Sequence, residues 1–421
     1  MAGGYAYARL LFARLDWVSI ALPTLVFVCS LIFLLRARCG TRREAGECRG
    51  RVKELFVFPV KSCAGVSVTE AQVTPSGLRA GARNADRAWA IVRRLDALAS
   101  QEAEEKFAAK GKACGEEGAP LYEPITIRSH PKMLFLQPSF GVDGNGELRL
   151  TVPGGDTIEV PIISASDNPA DNVVLRCVVW NSMCQGRDQG DKVAAFLTAY
   201  LKSKRPLRLV HMGEELLRPL CSDVKYGELE ADRPGRVARF SDWSTFNILS
   251  AQSVEWINAR LPWTAKPTDA QTYRPNILID APYAFWEDAL QECRVHAAGS
   301  DAGDDKDDED EDDVRFSFAK HCGRCTLPTV NRLTAKRSAD LEPLRTLKKY
   351  RTNFYPHLDR EKSGPVPFLG VNVSFGGKKG GGGRDAGSRV IRVGDTVTPI
   401  RTMRPPEMLV GRDNPWGEKY F

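Results

Sequence analysis

The chain has 421 residues, 43% of them hydrophobic and 27% charged, with a formal net charge of +6. That length supports two or three domains with cores of their own, and the basic residues are scattered with no aromatic-interleaved stripe, which argues against nucleic-acid binding. Eleven cysteines in a chain this long are too sparse for a disulfide framework and favour a reducing compartment.

Residues 17–35, WVSIALPTLVFVCSLIFLL, contain no charge. At ~1.5 Å per residue such a run crosses a bilayer core of ~30 Å, and one proline is compatible with crossing. Arg14 and Asp16 precede it, while Arg36, Arg38, Arg42 and Arg43 follow. The positive-inside rule then puts the rest of the chain in the cytosol. A cleaved secretory leader fits less well, because the run is long and its basic flank comes after it. The expected start is therefore an extension 1–16, a transmembrane signal-anchor 17–35 and a basic linker 36–52. Such an anchor suits the mitochondrial outer membrane or the endoplasmic reticulum.

From residue 53 the pattern is that of strands. ELFVFPVKS and VSVTEAQVTPSGL alternate apolar and polar residues, and RAWAIVRRL is an apolar strand. Residues 106–120 read as a loop insertion. ITIRSHPKMLFLQPS, ELRLTVPG, TIEVPII and NVVLRCVVW resume the strand pattern, and short strands at this spacing predict a barrel or sandwich. Residues 191–201 change period: Val193, Phe196, Leu197, Tyr200 and Leu201 share one helical face. PLRLVHM is a strand, and residues 214–236 are a polar excursion between domains. Ser250 is an N-cap candidate for a helix burying Val254, Ile257 and Leu261. NILIDA and RFSFA are strands. Residues 301–313 are acidic and 376–388 glycine-rich; both read as solvated insertions. RVIRVGDTVTPI reads as a strand pair about a Gly-Asp turn. The sum is a mainly β protein with some α, of the α+β class, divided into domains 53–236 and 237–401 and a tail 402–421.

The sequence HCGRC places Cys322 and Cys325 at a C-x-x-C spacing. No second pair completes a four-ligand zinc site. The following TLPTV is β-branched and contains proline, which does not suit the helix of a thioredoxin-like pair. Two buried apolar thiols remain an alternative, but Arg324 stands between them, and a cation beside a thiol favours thiolate, the metal-ligating form. Elsewhere Lys61 and Ser62 follow a strand, Arg87 follows Asp86, Ser241, Asp242, Ser244 and Thr245 precede an apolar strand, and Arg274 and Asn276 stand at a strand's start. Singly each reads as surface polarity. Together they suit an anionic, phosphate-bearing cofactor held beside a soft metal. No G-x-G-x-x-G lies between a strand and a helix, so nothing here reads a dinucleotide.

In order, FVFPVKSCAGVSV, NADRAWAIV, RLVHM, FSDWSTFNILSAQSVEWINARL, YRPNILID, HCGRCTLPTVN and PFLGVNV…IRVGDTV resemble the MOSC family, and within it the amidoxime-reducing components with their bacterial and plant relatives. The resemblance covers roughly residues 53–400. It implies a MOSC N-terminal β-barrel-like domain, then a MOSC β-barrel domain, with a molybdenum cofactor (Mo-molybdopterin) between them. It implies Cys325 as molybdenum ligand and catalytic residue. Lys61, Ser62, Arg87, Trp243, Ser244, Arg274, Gly323, Arg324 and Asn372 then take cofactor-contacting positions. Trp243 is bulky where the family is small, and Asn331 stands where an aspartate is usual. The implied activity is reduction of N-hydroxylated compounds, with electrons relayed from NADH through cytochrome b5 reductase and cytochrome b5. The alternative is cofactor binding or sulfur carriage, as in the related cofactor sulfurases, without reduction. A third reading is a membrane scaffold that uses the acidic loop to hold partners.

Overall fold

The computed structural model describes residues 49–81, 83–108, 115–116, 118–141, 147–163, 172–180, 182–220, 236–242, 244–299, 313–353, 366–376 and 389–403, all within one compact unit, Arg49–Pro415. The expected anchor, the linker up to residue 48, Trp243, nearly all of both low-complexity insertions and most of the tail lie outside these residues. Among the described residues no helix is long and apolar enough to cross a membrane.

Two closed β structures organise the unit. The first is a five-stranded barrel of Trp89–Arg94, Leu121–Pro124, Val174–Val179, Ser182–Asp188 and Leu207–His211. Its first strand, WAIV, is apolar without alternation because both faces are covered. Trp89 and Ile91 face one core with Leu148, Leu150 and Leu197, while Ala90 and Val92 face another with Val210 and Phe240. The expected helix forms as Asp191–Tyr200 and buries Val193 and Leu197.

The second structure is a nine-stranded sheet. Its path runs from Phe246–Ser250 through Ile277–Asp280, Gly50–Val57, Thr396–Thr402, Leu290–His296 and Val314–Gly323 to Val366–Phe375. The last of these pairs back onto the first, so the sheet closes on itself. Inside lie Leu55, Phe246, Ile279, Trp286, Phe316 and Val371. Ser250 caps the helix Ala251–Asn258 as expected, its hydroxyl accepting from the Ser253 N–H. Val254 and Ile257 are buried there, and Leu261 falls beyond the last turn.

Three local expectations change. RVIRVGDTVTPI makes a turn, but its strands do not pair with each other. Val390–Arg392 joins Glu70–Thr74, and Thr396–Thr402 joins Gly50–Val57 and Leu290–His296. Both strands feed the same core, through Ile391 and Val397, but they enter different sheets, which no local alternation records. The start of the expected loop 106–120 is instead the end of a helix, Ala97–Ala108, opened by Asp96 accepting from the Ala99 N–H (3.0 Å). Only Phe107 of that helix is buried, so its apolar period is weak. Within ITIRSHPKMLFLQPS, Pro131–Phe135 is a 3₁₀ turn and only Gln137–Ser139 is strand. The strand Gly50–Val57 pairs with Ile277–Asp280 and Thr396–Thr402 from the second half as well as with nearby Val66–Val68, so pairing crosses the expected boundary at residue 236.

A charged cluster lies under the strand that leads to Cys322. Arg351 is fully buried between the rings of Phe285 (3.7 Å) and Phe368 (4.6 Å) and ion-pairs with Asp288. Glu287 accepts from the Ser253 hydroxyl (2.8 Å), and burial, with Asp288 beside it, pushes its carboxyl up. His321 packs against Phe318 and Phe368. Burial first, and Arg351 second, push its imidazole down to about 4.

Two outcomes follow from this packing. Gly370 has φ +71, and a Cβ there would lie 2.8 Å from the Ile248 carbonyl. Gly370→Ala therefore lowers unfolding free energy by about 1–3 kcal/mol in chemical denaturation. The unfolded His321 takes up a proton near pH ~6.5 but the folded one only near 4. The unfolded state thus binds more protons between those values, and this histidine costs stability as pH falls through the window. His321→Gln should lose less stability than the parent between pH ~6.5 and pH ~4, read from denaturation midpoints. An equal acid loss in both proteins contradicts the assignment.

Candidate active site

A cleft of about 380 Å³ opens where the barrel meets the closed sheet. Lys61, Ser62, Arg87, Ser244, Arg274, Gly323, Arg324, Cys325 and Asn372 all line it. Every expected site residue that the structure describes is therefore in one place, although the sequence separates them widely.

Tight turns present the cations. Lys61 and Ser62 follow Val60, which bridges to Trp89, and the Lys61 N–H donates to the Trp89 carbonyl (2.8 Å). Arg87 stands in the turn before Trp89–Arg94, and Arg274 ends the 3₁₀ turn Ala270–Tyr273. Ser62, Arg87 and Arg274 all have positive φ, as does Trp180 on the same cleft. These are four of the eight non-glycine residues with positive φ among the described ones. Such strain concentrates where a side chain must be aimed.

The electrostatics are unbalanced. The guanidiniums of Arg274 (4.1 Å) and Arg87 (4.7 Å) both lie over the Phe58 ring. Arg87 ion-pairs with Asp86 and donates to Asn276 Oδ1 (3.3 Å). Arg274 donates from Nη1 to the Cys63 carbonyl (2.6 Å), but its Nη2 is buried with no hydrogen-bond partner among the described residues. Burial, and then the Arg87 charge, push Arg274 down to about 9. Lys61 donates to the Phe240 carbonyl (2.7 Å) and ion-pairs with Asp242. Burial lowers Lys61, and although desolvation would raise Asp242, the Lys61 charge and hydrogen bond together with Trp180 and Arg87 hold that carboxyl below its usual range.

Across the cleft, the strand Val314–Gly323 runs out into Cys325, whose side chain is exposed. Its sulfur accepts from the Leu327 N–H (3.4 Å). Cys322 is half-buried. Arg324 directs its hydrogen bonds to backbone and to Asn247, not to the Cys325 sulfur. Its guanidinium donates to the carbonyls of Tyr273 (2.7 Å) and Leu369 and to Asn247 Oδ1 (3.5 Å). It fixes the cysteine loop to the neighbouring strand, and the Arg324 N–H adds a bond to the Pro367 carbonyl (2.7 Å). Ser244 donates to the Val373 carbonyl (2.7 Å), and Asn372 accepts from Asn247 Nδ2 (3.0 Å), so both hold the closing strand pair together.

Sequence reasoning missed Arg128, Trp180, Tyr273 and Lys320, which also line the cleft. Lys320 lies inside an alternating strand. Trp180 had read as the end of a strand, and its left-handed backbone is the signal that sets it apart.

The donor set fits a multiply anionic group with a soft metal at one end. Three cations gather opposite an exposed thiol, and one buried guanidinium nitrogen lacks an acceptor. Residues 49–204 match the family described as MOSC N-terminal beta barrel domain, and residues 235–398 match the MOSC domain. The chain is 32% identical over 354 residues to mitochondrial amidoxime-reducing component 1 of Homo sapiens, covering 83% of this chain and 88% of that protein. It is 30% identical to the same component of Xenopus laevis, with 85% of each chain covered. It is 29% identical to mitochondrial amidoxime reducing component 2 of Rattus norvegicus, covering 80% of this chain and 83% of the relative. The barrel, the closed sheet, the cleft between them and these likenesses place the chain in the MOSC-domain family of the mitochondrial amidoxime-reducing components.

Proposed function

We propose that this protein is a molybdenum-cofactor oxidoreductase that reduces N-hydroxylated compounds of the amidoxime and hydroxylamine type. The observation that carries the proposal is the buried, unpartnered Nη2 of Arg274 in a cationic cleft that also holds the exposed thiol of Cys325. A desolvated guanidinium with a missing acceptor is stabilised by an anionic guest.

Arg274 and Arg87, whose guanidiniums both lie over the Phe58 ring, would hold the anionic groups of the cofactor. Lys61 adds a third cation, oriented by Asp242 and the Phe240 carbonyl. Cys325 supplies the soft protein ligand at the other end. Ser62, Gly323 and Asn372 shape the walls, and Arg324 keeps the Cys325 loop against its neighbour. Bound there, the cofactor supplies a two-electron reduction that, with two protons, converts an N–OH group to N–H and water. The protein's own part is to orient the substrate beside Cys325 and to neutralise charge around it.

The wider setting belongs to the same proposal. Residues 17–35 anchor the chain in the mitochondrial outer membrane with the catalytic unit in the cytosol, in keeping with the mitochondrial names of the relatives. Electrons come from NADH through cytochrome b5 reductase and cytochrome b5.

The test is molybdenum content and benzamidoxime reduction by the purified chain with that electron relay. Cys325→Ser should abolish reduction, whereas Cys322→Ser should retain both molybdenum and activity. Stoichiometric zinc without molybdenum, or full activity in Cys325→Ser, defeats the proposal. A persulfide on Cys325 with no reduction would favour sulfur carriage instead. Removing a charged hydrogen-bond donor costs about 1.5–3 kcal/mol, so Arg274→Met should weaken cofactor retention roughly ten- to hundredfold, read as molybdenum lost on dialysis.

A further inference from the structure

We propose that Trp180 and Arg128 form the substrate-selecting edge of the cleft, an aromatic face with a cation beside it that favours flat, conjugated N-hydroxylated compounds bearing an anionic substituent. The inference rests on reading the cleft as the reductase site.

Trp180 sits at the tip of the hairpin between Val174–Val179 and Ser182–Asp188. Its φ is +53. A turn alone is served by glycine or asparagine at such a backbone, whereas a bulky ring adopts it at a cost. The residue is nevertheless 44% exposed. An exposed indole on a strained turn, lining a cleft that contains the candidate metal thiolate, contributes little to the core and much to what the cleft touches.

Its surroundings hold it in place. The Trp180 side chain hydrogen-bonds the Asp242 carboxylate, which is also the partner of Lys61. The guanidinium of Arg128 lies 5.4 Å from the ring centroid. Arg128 is in turn steadied by its carbonyl, which accepts from Arg337 Nη2 (2.9 Å). Its own guanidinium has no hydrogen-bond or ion-pair partner among the described residues, which leaves its donors for a carboxylate. An aromatic face fixed in advance loses little entropy when a second ring stacks on it.

The two residues come from the barrel, while Cys325 comes from the closed sheet. Selection and chemistry therefore reside on different parts of the fold, and the barrel side can change ring preference without altering the thiol.

The experiment uses the full-length, cofactor-loaded chain with three probes: benzamidoxime, 4-carboxybenzamidoxime and acetamidoxime. Trp180→Leu should lower the benzamidoxime-to-acetamidoxime ratio of kcat/KM about tenfold, mostly through KM, and Trp180→Phe should recover most of it. Arg128→Gln should lower the 4-carboxybenzamidoxime-to-benzamidoxime ratio about threefold. If Trp180→Leu lowers kcat/KM for all three probes equally, the ring is only structural and the inference falls. Calorimetric titration of benzamidoxime without electron donor separates this inference from the reductase reading. Trp180-dependent binding in a chain that reduces nothing upholds the stacking edge and defeats the reductase. Reduction with binding indifferent to Trp180 does the reverse.

Discussion

An unpaired positive charge governs the centre of this molecule. Arg274 is half-buried, shares the Phe58 ring with a second guanidinium, and has one buried nitrogen without an acceptor among the described residues. In an ordinary core such an arrangement is selected against, because burying a polar group without a partner costs free energy that folding rarely spares. Here the surrounding backbone enforces it. Ser62, Arg87 and Arg274 each occupy the left-handed region, and the turns that hold them are closed by main-chain bonds to Trp89, Phe58 and Gln271. A negatively charged occupant would relieve that imbalance.

The two closed sheets make that arrangement possible. The barrel carries Trp89, to which the Lys61 turn is pinned, and the larger sheet carries Cys325, Arg324 and Asn372. Because each sheet is closed by its own pairings, the cleft between them is lined from two stiff bodies. The buried Arg351–Asp288 pair stiffens the underside of the larger sheet. Its Phe368 belongs to the strand that receives Arg324 through Leu369 and Pro367. Packing far below the cleft thus reaches the cysteine loop through one strand.

Much of this was legible in the residues themselves. Alternation located most strands, the 3.6 period located Asp191–Tyr200, and Ser250 marked the start of its helix. The order of short motifs identified the cleft residues through their resemblance to the MOSC family, while the local signal alone offered only cations and hydroxyls at strand ends and one candidate thiol. Non-local pairing was not legible. Val390–Arg392 and Thr396–Thr402 look like one hairpin, since a turn reports its own geometry and not the sheet that each arm enters. The partners of Arg324 were hidden for a similar reason: adjacency to Cys325 in sequence says nothing about where a long side chain directs its hydrogen bonds, which here go to Leu369 and Tyr273. Trp180 and Arg128 were silent because a lone aromatic at a strand end carries no pattern.

The strand Gly50–Val57 bears on how the chain is made. It lies between Ile277–Asp280 and Thr396–Thr402, and Arg51 meets Thr396 from nearly the opposite end of the described chain. During synthesis the five-stranded barrel has all its strands once His211 has emerged. The larger sheet lacks a member until the last strand leaves the ribosome. Until then the early strand offers unpaired backbone edges, the state most prone to wrong association. Barrel first and sheet last is the assembly order that this threading imposes, so the cleft is among the final features to exist.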